Sequence, residues 1–201
     1  MNVPERQNLL TGAEELAASL GDRQLRIMDC RFDLMAPEAG REAWLDAHIP
    51  GAVYADLDKD LSGPVTAATG RHPLPAAEQA TETFSRLGID ADMRVIVYDD
   101  SSGAIASRAW WLLRWLGHGR VTVLDGGLQA WRARNLPLES GTHEVARRDF
   151  RPTTGSARVL TSNEIAADLD YSLIDARDAA RFRGESEPID AKAGHIPGSK
   201  N

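Results

Sequence analysis

One four-residue string, His-Ile-Pro-Gly, occurs twice in this chain, at residues 48–51 and 195–198. A shorter match precedes each copy: Asp29-Cys30-Arg31 before the first and Asp175-Ala176-Arg177 before the second. The Asp/Arg pairs are offset by 146 residues and the His-Ile-Pro-Gly strings by 147. Farther upstream each copy starts with Thr-x-x-Glu, Thr11/Glu14 and Thr161/Glu164, the capping-box pattern that opens a helix. Three matches in one order at nearly constant offset describe a duplicated domain. The copies are unequal: the first runs on for about ninety residues after its string, and three residues follow the second. The expected layout is one whole domain at 1–140, a linker at 141–158 and the opening of a second domain at 159–201.

Within the first copy, short apolar runs alternate with helical patterns. Residues 11–20 predict a helix stopped at Gly21, and residues 25–30 a strand. Residues 41–47 predict one or two helical turns, and Pro50-Gly51 makes the string that follows a fixed corner. Residues 52–55 predict a second strand, and the Gly- and Pro-rich stretch 60–75 a loop. Then come a helix at 76–87, a β-branched buried strand at 94–98, an apolar helix at 104–116, a strand at 121–124 and a helix at 128–134. Strand-helix alternation of this kind implies an α/β fold, a parallel sheet with helices on both faces. From Asn135 to Arg158 periodicity disappears. At Thr161 the pattern restarts with a helix (161–169), a strand (172–176) and an arginine-rich loop.

A formal net charge of −7 argues against nucleic acid as a partner, which needs a basic surface, yet leaves room for a local cationic pocket. No apolar run reaches the length of a membrane span. The first six residues lack the apolar core of a signal peptide, so a cytoplasmic location is the default expectation. No Cys/His spacing suggests a metal, and no Gly-x-Gly-x-x-Gly follows a strand, so neither metal nor nucleotide cofactor is expected.

In an open parallel sheet, ligands bind beyond the carboxyl ends of the strands. The turn 100–106 leads onto a helix N-terminus, where free amides can cradle an anion or hold a cysteine as thiolate. Its first residue is Asp100, a carboxylate that would repel an anion, and Asp99 and Asp100 together read as caps of the helix that follows. Cys30, the one cysteine, ends a buried strand beside Asp29 and Asp33 and reads as core. His48 and His195 recur in both copies, which favours a structural role at the corner. Trp110, Trp111 and Trp115 read as packing.

These stretches, with 95–117 (VIVYDDSSGAIASRAWWLLRWLG) and 123–131 (VLDGGLQAW), resemble the tandem-domain sulfurtransferases of the rhodanese family, the thiosulfate and 3-mercaptopyruvate enzymes. The resemblance implies a rhodanese-like fold in both copies. It also implies a catalytically silent first domain, because Asp100-Ser101-Ser102-Gly103-Ala104-Ile105-Ala106 matches the family's Cys-x-x-Gly-x-x-Ala loop with Asp in place of Cys. The nucleophilic cysteine would then lie beyond residue 201, and these 201 residues alone would be inactive. The implied chemistry is transfer of a sulfane sulfur from a small anionic donor, through a cysteine persulfide, to cyanide or a thiol. Arg177, Arg181 and Arg183 cluster within seven residues, where guanidinium forks suit an anionic group; by the resemblance Arg181 matches a donor-binding arginine, whereas Arg177 is expected to pair with Asp175 or a neighbouring loop, as Arg31 would with Asp29. Asp58 and His72 match an Asp and a His that the 3-mercaptopyruvate enzymes direct toward a serine of the active loop, the imidazole serving as base or polarising group. Ile189 stands where those enzymes carry a second substrate-binding arginine. The alternative is a non-catalytic rhodanese-like module that binds a partner or senses an anion.

Overall fold

The computed structural model describes residues 9–153, 155, 157–167 and 171–201. It divides into two compact units, Met1–Arg158 and Val159–Asn201.

In the larger unit, β1 (Leu10–Thr11), β2 (Leu25–Asp29), β3 (Ala52–Tyr54), β4 (Arg94–Tyr98) and β5 (Val121–Leu124) form one sheet in the order β1-β5-β4-β2-β3. Every pairing in it is parallel. The alternation of side chains along a strand sorts β4 between two cores. Val95 and Val97 join Met28, Val53 and Phe84 on one face, against α3 (Ala77–Arg86) and α4 (Ala106–Trp115). Ile96 and Tyr98 join Ile27 and Ile49 on the other, against Leu16 of α1 (Ala13–Ala18) and Leu128 and Trp131 of α5 (Gly127–Ala133). Because both faces are covered, β4 carries the unbroken apolar run VIVY after Arg94 and no polar alternation. The helix α2 (Ala39–Asp46) leads into the first corner.

The chain's entry differs from the sequence expectation. Thr11 belongs to β1, and its hydroxyl lies 2.6 Å from that of Thr122. With Thr11 held in the sheet, Gly12 becomes the N-cap of α1, no capping box forms, and Glu14 pairs with Arg134 instead. After α5 the chain does not leave as a free tether. Glu139 forms an antiparallel bridge with His48, and Phe150 is buried against Phe84.

The smaller unit does form its capping box, at the start of α6 (Ser162–Ala166), between Thr161 and Glu164. The end of the helix expected at 161–169 runs outside the described residues. The strand expected at 172–176 is reduced to a parallel bridge between Ile174 and Lys200. In the larger unit the matching β2 is sandwiched between β3 and β4; here the described residues supply one neighbour. The expected arginine-rich loop contains a short helix, α7 (Ala179–Arg183), because the Asp178 carboxylate accepts the N–H groups of Ala180 and Arg181. No helix among the described residues is long and apolar enough to cross a membrane.

Candidate functional site

The carboxyl end of β2 fixes the corner. Asp29 is buried, and its carboxylate accepts the backbone N–H of Arg31 (3.0 Å), the Arg31 guanidinium (2.6 Å to Nη2) and the Tyr98 hydroxyl (2.7 Å). Arg31 Nη2 continues to the carbonyl of Ala47 (2.8 Å), and the Tyr98 oxygen accepts the N–H of Ile49 (3.2 Å). One carboxylate thus bolts both sides of the corner to the sheet. Burial, and then the Asp29 charge, push the Tyr98 phenol well above its ordinary pKa, so it remains a donor. His48 lies 2.7 Å through Nδ1 from the Trp44 carbonyl, to which it must donate, and stacks on the Trp44 ring. Glu139 completes the corner by accepting the N–H of Gly51 (2.7 Å).

The smaller unit repeats this wiring. Arg177 Nη2 reaches Asp175 (2.7 Å) and the carbonyl of Gly194 (2.6 Å), the residue before His195 as Ala47 is before His48. His195 Nδ1 lies 2.7 Å from the Phe182 carbonyl and its ring stacks on Phe182.

The loop after β4 does form an amide cradle, and the chain fills it itself. The buried Asp99 carboxylate accepts four backbone N–H groups, from Ser101 (2.9 Å), Gly103, Ile105 and Ala106 (2.8 Å each). Ser102 and Gly103, both at positive φ, turn those amides inward. So Asp99 fills the cradle and takes the amides where α4 begins, in keeping with its reading as a cap; Asp100, read as the residue that would repel an anion, is exposed beside it. Asp99 also holds α5, its carbonyl accepting the N–H of Leu128 (2.9 Å). Gly127 is required there, since a Cβ would stand 2.4 Å from that carbonyl oxygen. A cavity of about 470 Å³ beyond the strands is lined by Asp33, Asp100 and Arg31, whose charge is already committed to Asp29. Its walls disfavour anions. Cys30 is fully buried, and burial together with Asp29, Asp99 and Asp60 pushes its thiol far above the range of a reactive thiolate.

Asp58 and His72 are brought together, with Oδ1 3.0 Å from Nε2. The imidazole is 18% exposed and meets the Phe32 ring edge-on at 5.9 Å. His72 has φ +51°, a left-handed conformation that costs a non-glycine residue about 1–2 kcal/mol. Arg108 on α4, which sequence reasoning missed, grips this loop. Its Nε donates to the carbonyl of Leu61 (3.2 Å), and its Nη2 to those of His72 (3.1 Å) and Pro73 (3.0 Å). The available signal was a cation on a helix face whose neighbours Ala109 and Leu112 are core residues.

In the smaller unit, Arg181 and Arg183 both lie on α7 but answer to different acids. Arg181 pairs with Glu187 and Asp190, each at 2.8 Å, and Arg183 with Glu185 at 2.6 Å. Ile189 is exposed between the two acids that hold Arg181. Among the described residues no cluster of three or more His, Cys, Asp or Glu could hold a metal.

Comparison with known proteins agrees with this geometry. The rhodanese-like domain pattern matches residues 12–134. A Pseudomonas aeruginosa protein named Probable 3-mercaptopyruvate sulfurtransferase is 45% identical over 197 residues, covering 96% of this chain and 69% of that protein. The 3-mercaptopyruvate sulfurtransferase of Homo sapiens is 38% identical over 201 residues, covering 94% of this chain and 65% of that one. The crystal structure of SseA from Escherichia coli, described by its rhodanese fold and as a 3-mercaptopyruvate sulfotransferase, superposes with a TM-score of 0.82. It is 33% identical, over 96% of this chain and 73% of that one. The match over residues 12–134 and these identities, on a parallel sheet covered by helices, place this chain in the rhodanese-like domain family.

Proposed function

We propose that this chain is the silent first domain, with the opening of the second, of a sulfurtransferase that moves a sulfane sulfur from thiosulfate or 3-mercaptopyruvate to cyanide or a thiol. The observation that carries the reading is the occupied cradle. The first copy has the loop that would hold a thiolate, and Asp99 has taken its four amides. Its cysteine, Cys30, is sealed in the core. The nucleophile then belongs to the continuation of the second copy, about 52 residues past His195 by the spacing of His48 and Asp100. The identity to 3-mercaptopyruvate sulfurtransferases supports the sulfur chemistry.

In this reading the cysteine thiolate attacks the outer sulfur of the donor and a sulfur–sulfur bond forms. With thiosulfate, sulfite departs with the electron pair of the broken S–S bond. With 3-mercaptopyruvate, the C–S bond breaks, the carbon keeps the pair as pyruvate enolate, and a proton is taken up there. An acceptor thiolate or cyanide then attacks the persulfide's outer sulfur and releases the cysteine. The Asp58–His72 pair acts as base or polarising group, the carboxylate fixing which face of the imidazole is free. Arg181 is the donor-binding cation, and Arg183 adds positive potential beside it. Because Glu187 and Asp190 hold Arg181, the donor must displace at least one of them. With Ile189 beside these acids, thiosulfate remains a candidate donor.

The test is a sulfur-transfer assay with both donors on the longer protein that carries this chain. Turnover that vanishes when the second-copy cysteine becomes serine supports the enzyme. A folded protein with no turnover from either donor overturns it in favour of a rhodanese-like binding module.

A further inference from the structure

The filled cradle and the Asp58–His72 pair are joined through one helix. Asp99 Oδ2 accepts the N–H groups of Ile105 and Ala106, the residues where α4 begins. The Arg108 N–H bonds to the carbonyl of Ile105 (2.9 Å), so Arg108 leaves the helix within a turn of that anchor. Its guanidinium then spans the loop from end to end: Leu61 stands where the loop begins, His72 and Pro73 where it closes. Gly63 draws the same two ends together through the Pro73 carbonyl (2.9 Å).

Arg108 forms no ion pair among the described residues. Burial lowers its pKa, as expected for a half-buried cation whose partners are all neutral. A charge in that setting is retained for its planar fork of donors, which fixes geometry where a point charge would not. One of the carbonyls it grips belongs to His72, the residue in a strained left-handed conformation. Such strain persists where the surroundings over-determine it. Arg108 fixes the His72 backbone from which the imidazole projects, while Asp58 and the edge of Phe32 contact the ring itself.

We propose that Arg108 is a positioning residue for the Asp58–His72 pair, and that the cysteine-free loop around Asp99 is kept as the anchor from which Arg108 acts. The inference rests on the reading that this pair takes part in sulfur transfer. It gives the silent copy a task in the reaction although it holds no nucleophile.

The first test follows the His72 ring by NMR in the 201-residue chain, using its contacts to the Phe32 ring and its ring-nitrogen shifts. Arg108→Met should abolish the His72–Phe32 contacts and move the ring shifts, while the His48 ring, bound at the corner, keeps its signals. A Met variant with His72 unchanged overturns the proposal. Should the Met variant lose the His48 signals as well, Arg108→Lys decides. Lysine keeps the charge without the fork, so His72 should still be displaced, and a wild-type His72 in that variant overturns the proposal.

The second test is kinetic, on the longer protein. Arg108→Met should lower kcat about 10²-fold, the scale of a 1 Å misplacement, with KM for the donor nearly unchanged. If His72→Asn lowers kcat and Arg108→Met does not, the proposal fails. If His72→Asn leaves turnover intact while Arg108→Met still displaces the ring, the catalytic reading of the pair fails and the positioning role stands.

Discussion

Asp29–Arg31 and Asp175–Arg177 make the same contacts in different surroundings. In each pair the carboxylate accepts the arginine's own N–H at 3.0 Å, and the guanidinium passes on to the carbonyl before a histidine. The first pair is buried, with side chains 4% and 0% exposed; the second is 30% and 13% exposed. The wiring is therefore local, written by two residues and a corner, and does not need a finished core around it. What the surroundings decide is how much the contact contributes. A buried pair broken on one side leaves an uncompensated charge, whereas a solvated pair surrenders its contact to water.

The largest expected effect tests that difference. Arg31→Met should destabilise the larger unit by about 3–5 kcal/mol, because Asp29 would stay buried without its cation. Arg177→Met should leave the urea midpoint of the larger unit unchanged. Equal shifts from the two variants would break the comparison.

Next is the contrast between neighbours in the loop after β4. Asp99→Asn turns donors of its own toward amides that need an acceptor, and should cost on the order of 3 kcal/mol in urea unfolding. Asp100→Asn should change stability by no more than about 0.5 kcal/mol, as for an ordinary surface position.

A third experiment asks whether the loop after β4 can hold a thiolate after one change. In Asp100→Cys the amides remain bound to Asp99, so the new thiol should titrate near the ordinary value of about 8.5, read from the pH dependence of iodoacetamide alkylation. A midpoint lowered by two units or so would mean that the cradle accepts a second anion. In the same experiment Cys30 should stay unlabelled until the protein unfolds.

The smallest effect concerns acid. Asp175 is held at about 2, chiefly by its hydrogen bond from the Arg177 side chain. A depressed carboxylate contributes above its unfolded value of about 3.9 and loses that contribution as pH falls through its folded value. Carboxyl ¹³C NMR should therefore show Asp175 still ionised at pH 3, and Arg177→Met should raise its midpoint toward 3.9.

Elements whose reasons are local were legible in the sequence. The run 94–98 could only be a strand buried on both faces, and it is β4. β1 was not legible, because two residues carry no periodicity and the partner strand lies more than a hundred residues away. Thr11 and Thr161 begin the same pattern, yet only Thr161 caps a helix, since the sheet claims Thr11 first. The pattern located the amide loop, but which of two adjacent aspartates enters it depends on where β4 ends. The contact between Asp58 and His72 followed from a resemblance, while Arg108 was missed altogether. Hydrogen bonds to the carbonyls of a distant loop do not depend on that loop's side chains, so they leave no motif to read.

The bridge from Glu139 to the first corner also orders events during synthesis. His48 emerges 91 residues before the carboxylate that closes its corner, and the edge strand β1 waits 111 residues for the Thr122 hydroxyl. Contacts of such long separation are the slow ones to form. A nascent chain that has already released β2, β3 and β4 still has an open corner and an unpaired first strand. The first strand and the corner of the larger unit are therefore completed in two steps, when Thr122 and then Glu139 have emerged.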